Sequence, residues 1–145
     1  VYKDGVPVGA ALVGQIFTED RYFYGRPSAV DYNGAGSAGS NKGPSNPDYL
    51  ATVQARIDSF AVHNPDVAIK DIPSELVTAS GSGLDPDVSP LAAKIQVPRI
   101  SALRNIPADR LNQLIELHTK KPLLGLFGPS KVNVLQLNLA LDQLK

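Results

Sequence analysis

The sequence predicts an α/β fold class: a small single domain in which a short sheet packs with three to four helices and a long ordered Gly/Ser/Pro-rich loop. Three observations carry this expectation. Asn46-Pro47, Ser89-Pro90 and Pro107 each open a stretch of helically spaced apolar residues, the polar side chain capping free amides and the proline filling a first-turn position where no donor is missed. Short apolar runs bounded by glycine and proline supply strand candidates. Between residues 25 and 47, fifteen of 23 residues are Gly, Ser, Pro or Asn, too long for an ordinary connector.

At the N-terminus, Lys3-Asp4-Gly5 reads as a hairpin turn between residues 1–2 and 6–8, because Asp-Gly supplies positive backbone angles readily. A strand over residues 10–17 is expected to follow. Five of the nine aromatics, Phe17, Tyr22, Phe23, Tyr24 and Tyr32, lie at the start of the Gly/Ser-rich stretch. Their apolar area predicts that the loop is pinned to the core. Leu50, Val53, Ile57 and Phe60 form one face of a helix that starts at Asn46-Pro47 and ends at Asn64-Pro65, and residues 67–80 give weak strand or helix signals. The helix begun at Ser89-Pro90 carries apolar Leu91, Ile95 and Leu103, with a kink or break expected at Pro98. The next places Leu111, Leu114, Ile115 and His118 on one face. Leu123 to Phe127 is a short apolar run closed by Gly128-Pro129. The tail is ambiguous by periodicity, since Leu135, Leu137, Leu139 and Leu141 alternate while Val134, Leu137, Leu141 and Leu144 share a helix face; leucine richness and Asn133 as a cap favour a helix.

The 145 residues suit one domain over 1–145. Fourteen basic and fourteen acidic side chains cancel, which disfavours both nucleic acid and an anionic membrane surface as partners. With no cysteine, disulfides, thiolate nucleophiles and cysteine-ligated metals are excluded. The stretch from Val6 to Phe17 is too short and too interrupted to span a bilayer. The chain holds no methionine and opens on Val1, which reads as a processed or excised product.

Candidate chemistry centres on "TASGSGLDPDVSP", residues 78–90. Gly81-Ser82-Gly83 lacks the Gly-x-Ser-x-Gly spacing of a nucleophile elbow, and no lysine follows the glycines to meet a phosphate. The segment also lacks the acidic spacing and terminal glutamate of a calcium-binding loop. His118 is expected in the core and His63 in solvent. Asp85 and Asp87 repel phosphate and favour a cation or the positive end of the following helix. Two readings stay open for Ser80, Gly81, Ser82, Gly83, Asp85 and Asp87: turn formation and helix capping, or a shaped surface for a partner. Arg26 and Asp31, flanking Pro27, are candidates to pair with each other or to clamp that partner. No catalytic, cofactor or metal residue is assigned.

Five stretches then converge on one family. "GQIFTEDRYFYGRPSAVDYN" (14–33), "GSNKGPSNP" (39–47), "VTASGSGLDPDVSP" (77–90), "IQVPRI" (95–100) and "VNVLQLNLAL" (132–141) resemble KdpC, the C subunit of bacterial potassium-transporting P-type ATPase complexes, in order and across nearly the whole chain. The resemblance implies a non-catalytic accessory subunit needed for assembly and activity of the pump. Its partners would be a channel-like A subunit and a catalytic B subunit. It also implies an extracytoplasmic domain anchored in the cell membrane by an N-terminal helix, so that this chain reads as the soluble domain without its anchor. Nucleotide binding has been proposed for the family, which makes a nucleotide-binding regulator the alternative, although no motif here supports an ATP site. On this reading residues 80–87 help dock the domain, with Asp85 and Asp87 lending negative potential near the potassium entrance.

Overall fold

A computed structural model describes residues 1–122 and 124–144. The chain forms a hairpin of β1 (Tyr2–Lys3) and β2 (Val6–Pro7), then the long helix α1 (Pro47–His63). Two 3₁₀ turns, Ile69–Asp71 and Ser74–Leu76, lead to β3 (Asp87–Val88), α2 (Pro90–Lys94), α3 (Val97–Arg104), α4 (Ala108–His118), β4 (Thr119–Lys120), β5 (Lys131–Asn133) and α5 (Val134–Gln143). The strands β3, β5 and β4 make a small antiparallel sheet with β5 central, in the register Val88 to Val132 and Thr119 to Val132. With the helices they form the expected small α/β domain.

The local signals act where they were read. Asp4 and Gly5 both take positive φ, 51° and 80°, and turn the first hairpin. The side chains of Asn46, Ser89 and Asn133 accept from the amides of Tyr49, Ala92 and Gln136 at 3.0, 3.1 and 3.0 Å, capping α1, α2 and α5. Pro98 splits the central helical stretch into α2 and α3, because proline is accommodated only in the first turn of a new helix. The tail is helical, burying Val134, Leu135, Leu137, Asn138 and Leu141. The apolar run that includes Leu123 lies partly outside the described residues.

One expected element is corrected. Residues 10–17 form no strand. Gly14 donates instead to the carbonyl of Leu84 at 2.8 Å, and lies so close that a Cβ there would meet Asp85 O at 2.5 Å, so the segment lies along a loop rather than beside a strand. On α1 only Phe60 is buried, and Leu50 is exposed, because only the end of the helix reaches the core. On α2 and α3 the inward residues are Ala92, Ala93, Val97 and Ile100, while Leu91 and Leu103 face outward: the Pro98 break resets the helical phase, and the small alanines admit close packing.

The core joins Phe23 and Phe60 to Ile100, Leu111, Ile115, Val132, Leu137 and Leu141. His118 is half-buried rather than packed inside, its Nδ1 donating to Leu114 O at 2.9 Å.

Candidate functional site

Residues 80–87 form a loop stapled to the Gly/Ser-rich segment. Ser80 is buried and its amide donates to Pro27 O at 3.1 Å. Ser28 Oγ donates to Gly83 O at 2.7 Å and accepts from the amides of Val30 and Tyr32. Gly83 holds φ at +69°, and a Cβ on it would meet the Val30 side chain at 2.5 Å and Ala38 O at 2.9 Å. Only glycine tolerates both the angle and the approach. Ser82 O accepts from the Ala38 amide at 3.0 Å and from Ser37 Oγ at 3.1 Å, which leaves Gly81 and Ser82 exposed at the crest.

The structure pairs Arg26 with Asp85, not with Asp31: Arg26 Nη1 lies 3.0 Å from Asp85 Oδ2. Asp31 is exposed, in left-handed backbone at φ 49°, because the Ser28 turn carries it outward. Asp85 Oδ1 also accepts from the Asp87 amide at 3.0 Å, and Asp87 Oδ2 meets Lys131 Nζ at 2.7 Å. That hydrogen bond, and then the charge of Asp87, raise the Lys131 pKa. Both aspartates are therefore charge-paired and only partly exposed. One arginine atom stands apart: Arg26 Nε is buried without a hydrogen-bond partner. Arg26, Asp85 and Asp87 open onto a cleft of about 600 Å³ that also takes in Glu75, Lys120, Lys121, Phe127 and Lys131. Glu75 accepts the Ser89 amide at 3.2 Å, anchoring the loop where α2 begins.

A second polar assembly escaped sequence reading. Arg99, 7% exposed, donates to Asn64 Oδ1 at 2.9 Å, to Gln96 Oε1 at 2.7 Å and to Asp20 O, and stacks 4.1 Å from the centre of the Tyr24 ring. Burial lowers its pKa, which the Tyr24 and Asp20 charges oppose. Asp20 accepts from Tyr24 Oη and contacts His63 Nδ1 at 2.9 Å, so the exposed His63 also has a protein partner. These contacts hold the Asp20 carboxyl below its usual range, with the Tyr24 bond the largest cause, while burial first and Asp20 second push Tyr24 up to about 12. Ser59 lines the same surface cleft as His63, and among the described residues no hydrogen bond joins the two. Gln96 and Arg99 stand at helical spacing after Ala92. That spacing was the available signal, and their polarity masked it.

Two buried amides hold the aromatic segment. Asn138 accepts from Phe23 N at 2.9 Å and donates to Phe23 O at 3.0 Å, and Gln96 does the same for Tyr24 at 2.8 and 3.2 Å. Each side-chain amide thus replaces a missing neighbouring strand.

Among the described residues no group of three or more His, Cys, Asp or Glu side chains is placed to hold a metal ion, and no helix is long and apolar enough to cross a membrane. Fold and site together define a single mixed α/β unit that carries an ion-paired loop at its surface.

Comparison with known proteins gives this unit its place. The family described as KdpC, K+-transporting ATPase, c chain, matches residues 1–143. Potassium-transporting ATPase KdpC subunits from Bacteroides fragilis (strain YCH46), Flavobacterium johnsoniae and Bacillus cereus (strain B4264) are 54%, 55% and 53% identical to it. The alignments cover 100%, 98% and 99% of this chain and 77%, 76% and 75% of those proteins. The chain belongs to the KdpC family.

Proposed function

We propose that this chain is a non-catalytic accessory subunit of a potassium-transporting P-type ATPase, acting by docking on the channel-like A subunit beside the catalytic B subunit. The observation that carries this reading is the match to the family over residues 1–143. The docking surface is the 80–87 loop with Arg26 and Asp31, on the extracytoplasmic side of the membrane. Its stapling supports the role, because a loop held rigid before binding loses less entropy on association. Asp85 and Asp87 are salt-bridged in the free domain, so their contribution to a partner is local and directional rather than a broad negative field. Co-purification with the membrane-embedded A subunit, after an N-terminal membrane helix is joined to the chain, tests the reading. Retention of the A subunit is expected, and its loss with a folded domain contradicts it.

The 600 Å³ cleft, where Arg26 and three lysines meet Phe127, keeps a second reading in play, a nucleotide-binding regulator of the same pump. Glu75, Asp85 and Asp87 line that cleft too and oppose a polyphosphate. ATP binding no tighter than about millimolar is expected in calorimetry. Micromolar binding favours the regulator.

A further inference from the structure

Residues 121–130 join β4 to β5 and emerge where Lys120 is paired with Lys131 across the sheet. At their crest Leu124, Leu126 and Phe127 are 81%, 82% and 65% exposed. Leu124, Gly125 and Gly128 turn the chain with positive φ of 55°, 73° and 86°, and Pro122 and Pro129 bracket the turn. Three large apolar side chains are therefore displayed by a tight turn instead of being folded inward.

Directly below lie Lys120, Lys121 and Lys131, lining the same cleft as Phe127. Lys131 is neutralised by Asp87, whereas Lys120 and Lys121 have no ion pair among the described residues. An apolar crest above unpaired lysines is the arrangement that suits an anionic bilayer surface: the aliphatic and aromatic groups enter the acyl boundary while the ammonium groups reach lipid phosphates. The zero net charge of the chain is no obstacle, because attraction at a lipid surface decays within about a Debye length and depends on the local cluster.

We propose that residues 121–122 and 124–130 form a membrane-contacting element, inserting Leu124, Leu126 and Phe127 into the interface of an anionic bilayer with Lys120 and Lys121 on its headgroups. This contact adjoins the docking loop, whose Asp85 and Asp87 line the same cleft but are already paired with Arg26 and Lys131, and tilts the domain toward the lipid beside the pump.

The chain contains no tryptophan, so Phe127→Trp supplies a single reporter. On mixing with vesicles of one part phosphatidylglycerol to two parts phosphatidylcholine, its emission should move to shorter wavelength, and lipids brominated on their acyl chains should quench it. Val62→Trp, placed at another exposed apolar position on α1, should do neither. Lys120→Gln with Lys121→Gln should weaken partitioning onto the anionic vesicles by about 25-fold, or fivefold per lysine, the equivalent of ~1 kcal/mol each near an anionic surface. On pure phosphatidylcholine the same pair should change little. Absence of the spectral shift, or an equal shift at position 62, overturns the proposal. So does a reporter in the assembled, reconstituted pump that is shifted but escapes quenching by brominated lipid, since the crest is then seated on a protein subunit.

Discussion

Residues 1–46 and residues 87–144 are built by opposite means. The second region buries apolar faces of α2 to α5 against a three-stranded sheet. The first has only a two-residue-per-strand hairpin as regular structure, and takes its position from individual polar side chains of the second. Asn138 and Gln96 grip Phe23 and Tyr24 from 115 and 72 residues away, and Arg99 holds Asp20. An irregular segment can therefore be as fixed as a strand when its backbone groups meet buried amides. The difference also matters for function, since Arg26, Ser28 and Asp31 follow directly on the gripped residues.

The comparison breaks most visibly at Phe23, the one side chain of the first region wholly inside the core of the second. Phe23→Ala should destabilise the chain by about 3–5 kcal/mol, read as a lowered denaturation midpoint. A neutral result means that the aromatic segment is not anchored as described.

Next in size is Asn138→Leu, which keeps volume but leaves the Phe23 amide and carbonyl unpaired. A loss of about 2–4 kcal/mol is expected from two unsatisfied buried groups, together with faster proteolysis within residues 9–46 than within α4 or α5. Equal cleavage of both regions would show that the amide grip does not distinguish them.

How far the two regions were legible follows from the same contrast. Helix starts at Asn46, Ser89 and Asn133 were readable because a cap and its amide lie within three residues. The amide grips were not, since nothing near Phe23 in sequence records that Asn138 will face it. The missing strand at 10–17 has the same origin: a short apolar run becomes a strand only where a neighbour exists, and Gly14 meets the 84–85 loop instead. At the candidate site the turn chemistry of Gly83 was legible, but the choice of Asp85 over Asp31 as the partner of Arg26 was fixed by tertiary placement.

A third effect sharpens the comparison through pH. Asp142 links the regions by contacting Lys3 at 2.8 Å, Tyr22 Oη at 3.2 Å and Arg104. Burial alone would raise its pKa, but the bonds from Lys3, Arg104 and Tyr22 outweigh it and hold the carboxyl below the usual range. Asp20 is depressed likewise. A depressed folded-state value gives stability that is fully present above the unfolded value of about 3.9 and is lost as pH falls through the folded value. Acid unfolding should therefore steepen below about pH 4, and Asp142→Asn should flatten that limb. An unchanged acid limb in the variant would remove Asp142 from the linkage.

The smallest effect on stability, and the most direct test of the docking role, comes from Asp85→Asn combined with Asp87→Asn. Asparagine can still accept the Asp87-position amide and shape the turn, and each partly exposed ion pair is worth about 0–1 kcal/mol. The melting temperature of the chain should fall by only a few degrees. In membranes carrying the whole pump, the same pair of substitutions should weaken retention of the chain on the A subunit or raise the potassium concentration for half-maximal activity. The contrary result is a chain that unfolds on substitution while the pumps that do assemble retain it normally and keep their potassium affinity, and it would make these aspartates supports of the fold rather than of the complex.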